Sequence, residues 1–222
     1  KIHRMRKKAK VSSTTHLPSS TLQGIFPVPI YRSTFSRSFS LEEEKFAASQ
    51  IDHCLKAPAV LTTQTKDNYI LNNKIFSNVK KEIELFLQDY IDKVICPKSD
   101  FELYITQSWL NYAKKGQSHP HHTHTNSYVS GVLYFNADKN KDRIYFEKSG
   151  FMQITPPVKT WEVWNSHSWW FPVETGSIIL FPSSTTHRVA PKEENNTRIS
   201  LSFNTFIKGD LGDLTMLTKL KL

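Results

Sequence analysis

The 222-residue chain predicts an α+β, mainly β fold: an antiparallel sandwich or barrel carrying helices on one side. Three observations carry this expectation. Short apolar, β-branched and aromatic runs recur from Phe101 onward, separated by polar or Gly/Pro turns. Two amphipathic helical patterns precede them, without the strand–helix alternation that signals a parallel sheet. A hydrophobic content of 38% with 12% aromatics suffices for one full core, so residues 25–222 are expected to form a single domain.

Residues 1–24 read as a basic, flexible arm and linker. The net charge is +9, but residues 1–41 hold Lys1, Arg4, Arg6, Lys7, Lys8, Lys10, Arg32 and Arg37 with no acid, so the other 181 residues carry only +1. KIHRMRKKAK could hold nucleic-acid phosphates. No aromatic platform interleaves its charges as single-strand binding favours, so a solvated tail is the simpler reading. Val11 to Gly24 is rich in Ser, Thr and Pro without an apolar period, as linkers are. No apolar run approaches about eighteen residues and none resembles a signal peptide, so neither a membrane partner nor export is expected. Cys54 and Cys96 do not form a disulfide framework, and a reducing cytoplasm is the expected location.

In order, IFPVPIY is held extended by its prolines and suits an edge strand. Ser40 with Glu43 has the form of a capping box, followed by Ala47, Ile51, Cys54 and Leu55 on one face of a helix of about four turns. Residues 60–73 show strand-like pieces with no clear period. Ser77 opens a second helix with a stripe of Val79, Ile83, Phe86, Tyr90, Ile91 and Val94, ending before Pro97. Residues 25–100 thus form a helical N-terminal part and residues 101–207 the β core, with FELYITQSWLNYA, SYVSGVLYF, RIYFE, GSIILFP, HRVAP and RISLSFNTF as its strands. Residues 136–175 read as an insertion holding four of the five tryptophans, Trp161, Trp164, Trp169 and Trp170, together with Phe151. Such a segment suits a lid or stacking wall for substrate, or a satellite cluster under a long loop.

The chemistry concentrates in SHPHHTHTNSYVSGVLY, residues 118–134. Alternate residues of a strand share a face, so H-x-H pairs can converge, and His119/His121 and His122/His124 both qualify. The second pair abuts the apolar strand and is preferred as metal ligands, with His187 as the third. Neutral imidazoles with open positions suit non-haem iron(II), whose usual ligand set is two His and one carboxylate. His119 and His121 would support the ligands by hydrogen bonds or shape the turn. Arg198, Ser200 and Ser202 share a strand face, and a guanidinium fork there matches the carboxylate of a dicarboxylic co-substrate. Glu147 or Glu174 are alternative partners for Arg198.

Taken together, W-x-N-Y-x-x-x-G (Trp109 to Gly116), H-x-H-x-N-S-x-x-S-G-x-x-Y (His122 to Tyr134), G-x-I-x-L-F-P-S (Gly176 to Ser183), His187 and R-I-S-x-S-F-N (Arg198 to Asn204) resemble the 2-oxoglutarate/iron(II) oxygenases of phages and bacteria. The resemblance covers residues 101–206 closely. It implies a double-stranded β-helix (a cupin-like jelly roll), Fe(II), 2-oxoglutarate and O2, and hydroxylation of an unknown substrate with release of succinate and CO2. Carried over by position, His122, His124 and His187 would bind iron, and Arg198 with Ser200 the distal carboxylate. Asn111 and Tyr112 would line the same pocket, with no catalytic side chain beyond the metal centre. His124 departs from the wider superfamily, where an Asp or Glu ligates, and would leave the centre one unit more positive. It also fills the position that halogenating relatives vacate for chloride. The alternatives are a three-histidine cupin-like dioxygenase without 2-oxoglutarate, against which Arg198-x-Ser200 argues, and a non-enzymatic jelly-roll binding or structural protein. A small molecule or peptide is the favoured substrate, with nucleic acid a second partner through the arm, and a phage-infected host cytoplasm is one setting the resemblance allows.

Overall fold

The computed structural model describes residues 19–150, 154 and 156–222; most of the predicted basic arm, and Phe151, lie outside the described residues. In chain order the elements are β1 (Tyr31–Thr34), α1 (Leu41–Ser49), β2 (Thr63–Gln64), α2 (Ser77–Tyr90), β3 (Phe101–Ala113), β4 (His119–His122), β5 (Val129–Asn136), β6 (Arg143–Glu147), β7 (Ser168–Pro172), β8 (Ser177–Pro182), β9 (His187–Val189), β10 (Arg198–Leu211) and β11 (Leu220–Lys221). A larger sheet runs β1-β8-β5-β10-β3-β2, with β11 against the end of β10. A smaller one runs β4-β9-β6-β7. All pairings within both sheets are antiparallel, and the two-sheet arrangement is the jelly roll that the sequence implied.

The larger sheet is buried on both faces, and strand alternation decides what each face does. Leu110 and Tyr112 of β3, Leu133 and Phe135 of β5, Ile178 and Leu180 of β8, and Leu201 and Phe203 of β10 point to the helical side, where Phe76, Val79, Ile83 and Leu87 close the main core. Residues one step along each strand, Val132, Tyr134, Ile179 and Phe181, meet Ile144 and Phe146 of β6 between the sheets. Burying each aliphatic side chain contributes roughly 1.5–3 kcal/mol. Gly131 lets the strands close up: a Cβ there would stand 2.1 Å from Phe203 Cζ.

The helices form for the reasons their sequence suggested, with different ends. Ser40 Oγ accepts from Glu43 N at 3.2 Å while Glu43 accepts from Ser40 N at 2.7 Å, completing the capping box. The expected four turns become α1 plus a tighter turn over Gln50–His53. Beyond it, the chain leaves the helix to pair with residues 64–66: Leu55 N donates to Gln64 O and Lys66 N to His53 O. α2 continues as a wider turn over Ile91–Ile95 and stops at Cys96 in a left-handed conformation. The expected edge strand is β1, which starts only at the last residue of IFPVPIY.

Residues 136–175 are not an insertion into the sandwich. They contain β6 and β7, and β6 pairs with β9, placing Phe146 opposite His187. The segment is half of the smaller sheet, because its alternating RIYFE run has a buried face to satisfy.

Candidate metal and carboxylate site

The smaller sheet brings the histidines together. His122 ends β4 and His187 begins β9, and the two stand directly opposite in register. His124 lies just beyond the strand, where its backbone N–H donates to Ser183 O at 3.0 Å. Asn126, at φ 54°, then reverses the chain, a conformation Asn tolerates better than most residues. Behind this turn Ser130 Oγ donates to Asn204 Oδ1 at 2.9 Å and lies 2.8 Å from Ser183 Oγ, so Ser130, Ser183 and Asn204 form a hydrogen-bonded scaffold beneath the segment that carries His124.

One ligating nitrogen from each of His122, His124 and His187 can lie within 4.8 Å of the others. His124 Nε2 and His187 Nε2 are 3.4 Å apart. Two imidazole nitrogens each about 2.1 Å from one ion stand about 3.0–3.4 Å apart, so the spacing fits a shared metal. His187 Nδ1 donates to Thr185 O at 3.0 Å and His122 Nδ1 to Pro120 O at 2.9 Å, leaving each Nε2 lone pair free. Burial pushes the His187 imidazole down to about 3 and that of His124 to about 4, and lowers His122 as well. Neutral rings are the state that binds a metal.

The four clustered histidines divide differently from their spacing. His119 also faces the cavity: its Nδ1 is 2.8 Å from Thr62 Oγ1, its ring lies 4.4 Å from that of His122, and burial lowers it to about 4. His121 points outward to Glu147, at 3.2 Å.

The cavity, about 210 Å³, opens between the sheets and is lined by all of these except His121, with Trp109, Asn111, Arg198, Ser200 and Ser202. The predicted face of β10 is therefore the one that meets it. Arg198 is buried and its Nη1 donates to Asp142 Oδ1 at 3.1 Å. Its partner is neither Glu147 nor Glu174, which hold Arg188 and Lys139. Asn111 Nδ2 donates to Ser202 Oγ at 2.9 Å, and its Oδ1 has no partner among the described residues. With the amide turned over, Ser202 donates to the oxygen and the NH2 is free to meet a carboxylate.

Two site expectations are corrected. Tyr112 does not line the pocket. Adjacent strand residues face opposite ways, so with Asn111 in the cavity Tyr112 enters the helical core, where its hydroxyl donates to Ala47 O at 2.6 Å. The tryptophans Trp161, Trp164, Trp169 and Trp170 are not among the residues lining the cavity. Trp161, Trp164 and Trp170 are exposed, and the Trp170 ring is covered by Arg143 at 4.5 Å. The aromatic wall is instead Trp109, whose ring is 5.9 Å from that of His124; it stood in the W-x-N-Y motif, and its alternation with Asn111 was the signal for it. Asp142 gave no such signal, lying in a polar turn.

Residues 107–204 match the family described as "Putative 2OG-Fe(II) oxygenase". No curated protein sequence matches. Among solved structures, the non-heme alpha ketoglutarate dependent epimerase SnoN from nogalamycin biosynthesis aligns with TM-score 0.58 at 9% identity, over 81% of this chain and 78% of that one. HygX from Streptomyces hygroscopicus, with nickel, 2-oxoglutarate and hygromycin B bound, aligns with TM-score 0.52 at 13% identity over 80% and 82%. A Pseudomonas putida prolyl-4-hydroxylase aligns with TM-score 0.51 at 12% identity over 81% and 94%. At such identities the structural likeness establishes the double-stranded β-helix, while the match over residues 107–204 covers every residue of the histidine and arginine cluster. Over that segment the chain is similar to the 2OG-Fe(II) oxygenases, a family that uses Fe(II), 2-oxoglutarate and O2.

Proposed function

We propose that the chain hydroxylates a small molecule or a peptidyl group, with His122, His124 and His187 as the iron ligands and Arg198, Ser200 and Asn111 holding 2-oxoglutarate. The observation that carries this reading is the convergence of three imidazole nitrogens within 4.8 Å in the cavity that Arg198 and Ser200 also face. When bound, iron and 2-oxoglutarate supply dioxygen activation and C–H oxidation, releasing succinate and CO2. The chain's own residues do the rest. Three neutral rings present lone pairs, the guanidinium orients a carboxylate, and Val132, Ile144, Phe181 and Val189 keep the walls apolar. The cavity is smaller than the roughly 300 Å³ or more of pockets that engulf drug-sized ligands, which favours a target that inserts one small group beside the co-substrate.

Among the described residues no helix is long and apolar enough to cross a membrane. Two widely spaced cysteines unlike a disulfide framework suit a reducing cytoplasm as the working location, and the basic charge of residues 1–24 suits contact with nucleic-acid phosphates. The test is anaerobic titration of the Fe(II)-loaded protein with 2-oxoglutarate, following the visible metal-to-ligand charge-transfer band. The band is expected in the wild type, and Arg198→Ala should weaken 2-oxoglutarate binding severely with iron retained. Iron binding without a band would favour a three-histidine dioxygenase that uses no 2-oxoglutarate.

A further inference from the structure

Arg198 does not stand alone in the wall of the cavity. Lys192 Nζ lies 3.4 Å from both oxygens of Asp142, and the side chains of Lys192, Asp142 and Arg198 are 1%, 2% and 5% exposed. Asp142 is fixed from the other side. Its Oδ2 accepts from Asp138 N at 2.9 Å, and its backbone N–H donates to Asp138 O and its carbonyl accepts from Val173 N. Lys192 is fixed too, its N–H donating to Gln117 O and its carbonyl accepting from Gly116 N. Three charges this deeply buried are costly to desolvate unless their balance is used.

With Arg198 and Asp142 alone, the buried pair would be neutral, and a carboxylate entering beside it would be an uncompensated anion in a medium of low dielectric constant. Lys192 adds the second cation, so two cations face one carboxylate and the cluster keeps one net positive charge. That is the charge of one missing carboxylate. Asp142 meanwhile holds Nη1 of Arg198 and so fixes the orientation of the guanidinium that lines the cavity.

We propose that Asp142 and Lys192 are positioning residues for the distal carboxylate of the co-substrate: Asp142 orients Arg198, and Lys192 offsets Asp142 so that the cluster retains the single positive charge one carboxylate requires. This rests on the oxygenase reading. Neither residue lines the cavity, so both act through Arg198.

The experiment compares two 2-oxo acids on the anaerobic Fe(II) protein by the same charge-transfer band: 2-oxoglutarate, and pyruvate, which has the same metal-chelating end and no distal carboxylate. Lys192→Met should raise the Kd for 2-oxoglutarate about tenfold or more while leaving that for pyruvate unchanged, with iron still stoichiometric. Lys192→Arg should restore 2-oxoglutarate binding. The double variant Asp142→Asn/Lys192→Met removes an anion and a cation together, which returns the cluster to one net positive charge, and should bind 2-oxoglutarate better than Lys192→Met does. Equal losses for both acids, or a double variant no better than Lys192→Met, would mean that the triad is only structural. Absence of a band with either acid on the wild type would remove the oxygenase reading and this inference with it, an outcome distinct from a wild type that binds both.

Discussion

Acidifying the metal-free protein should unfold it more readily, and His187 allows the size of the effect to be worked out. Its ordinary value is 6.5 and in the fold burial, then the neighbouring His122, holds it near 3. A histidine depressed in this way binds its proton more tightly in the unfolded chain, so stability rises with pH: the destabilisation is absent above about pH 6.5 and grows as pH falls toward about 3. At about pH 5 the unfolded imidazole is almost fully protonated and the folded one almost fully neutral, a difference of about 1.5 pH units, or about 2 kcal/mol of lost stability from this residue. His187 is 5% exposed, so solvent screening removes little of it. The assay is urea unfolding in the presence of a chelator at about pH 7.5 and about pH 5 for the wild type and His187→Gln, whose side chain cannot titrate. The variant should lose about 2 kcal/mol less between the two conditions. An equal loss in both proteins would refute the reasoning, showing that His187 is hydrated or already paired in solution.

His122→Ala, His124→Ala and His187→Ala should each abolish stoichiometric iron binding, measured by metal analysis after desalting; full occupancy in any one would exclude that residue as a ligand. Tyr112→Phe removes a buried hydrogen bond to Ala47 O and should cost about 1 kcal/mol in urea unfolding, with the 2-oxoglutarate Kd unchanged because the residue faces the helical core. Gly131→Ala drives a methyl group into the Phe203 ring and should destabilise by about 1–3 kcal/mol, with a thermal unfolding midpoint equal to wild type as the contrary result.

Much of the β core was legible residue by residue. Strand alternation is a local property of the backbone, so the facing set Arg198, Ser200 and Ser202 and the H-x-H geometry could be read directly from spacing. The same rule, applied strictly, would have separated Tyr112 from Asn111, since neighbours on one strand cannot share a cavity. The capping box at Ser40 and Glu43 was equally local, closed by atoms three residues apart. Helix ends were less so, because the end of α1 is set by pairing with residues 64–66, a contact across a loop.

The candidate ligands, the face of β10 that holds the guanidinium and the mainly β class could all be read from residue type and short-range periodicity. The tertiary structure alone decided that residues 136–175 build half of a sheet, that their tryptophans lie away from the cavity, and that Arg198 meets Asp142 with Lys192 behind it. Lys192 and Arg198 lie 50 and 56 residues along the chain from Asp142, and the three charges come from a loop, a turn segment and a strand. No local pattern encodes such a meeting. It follows from the stacking of two sheets, which excludes water from the space between them and leaves each buried charge only the partners that the fold brings within reach.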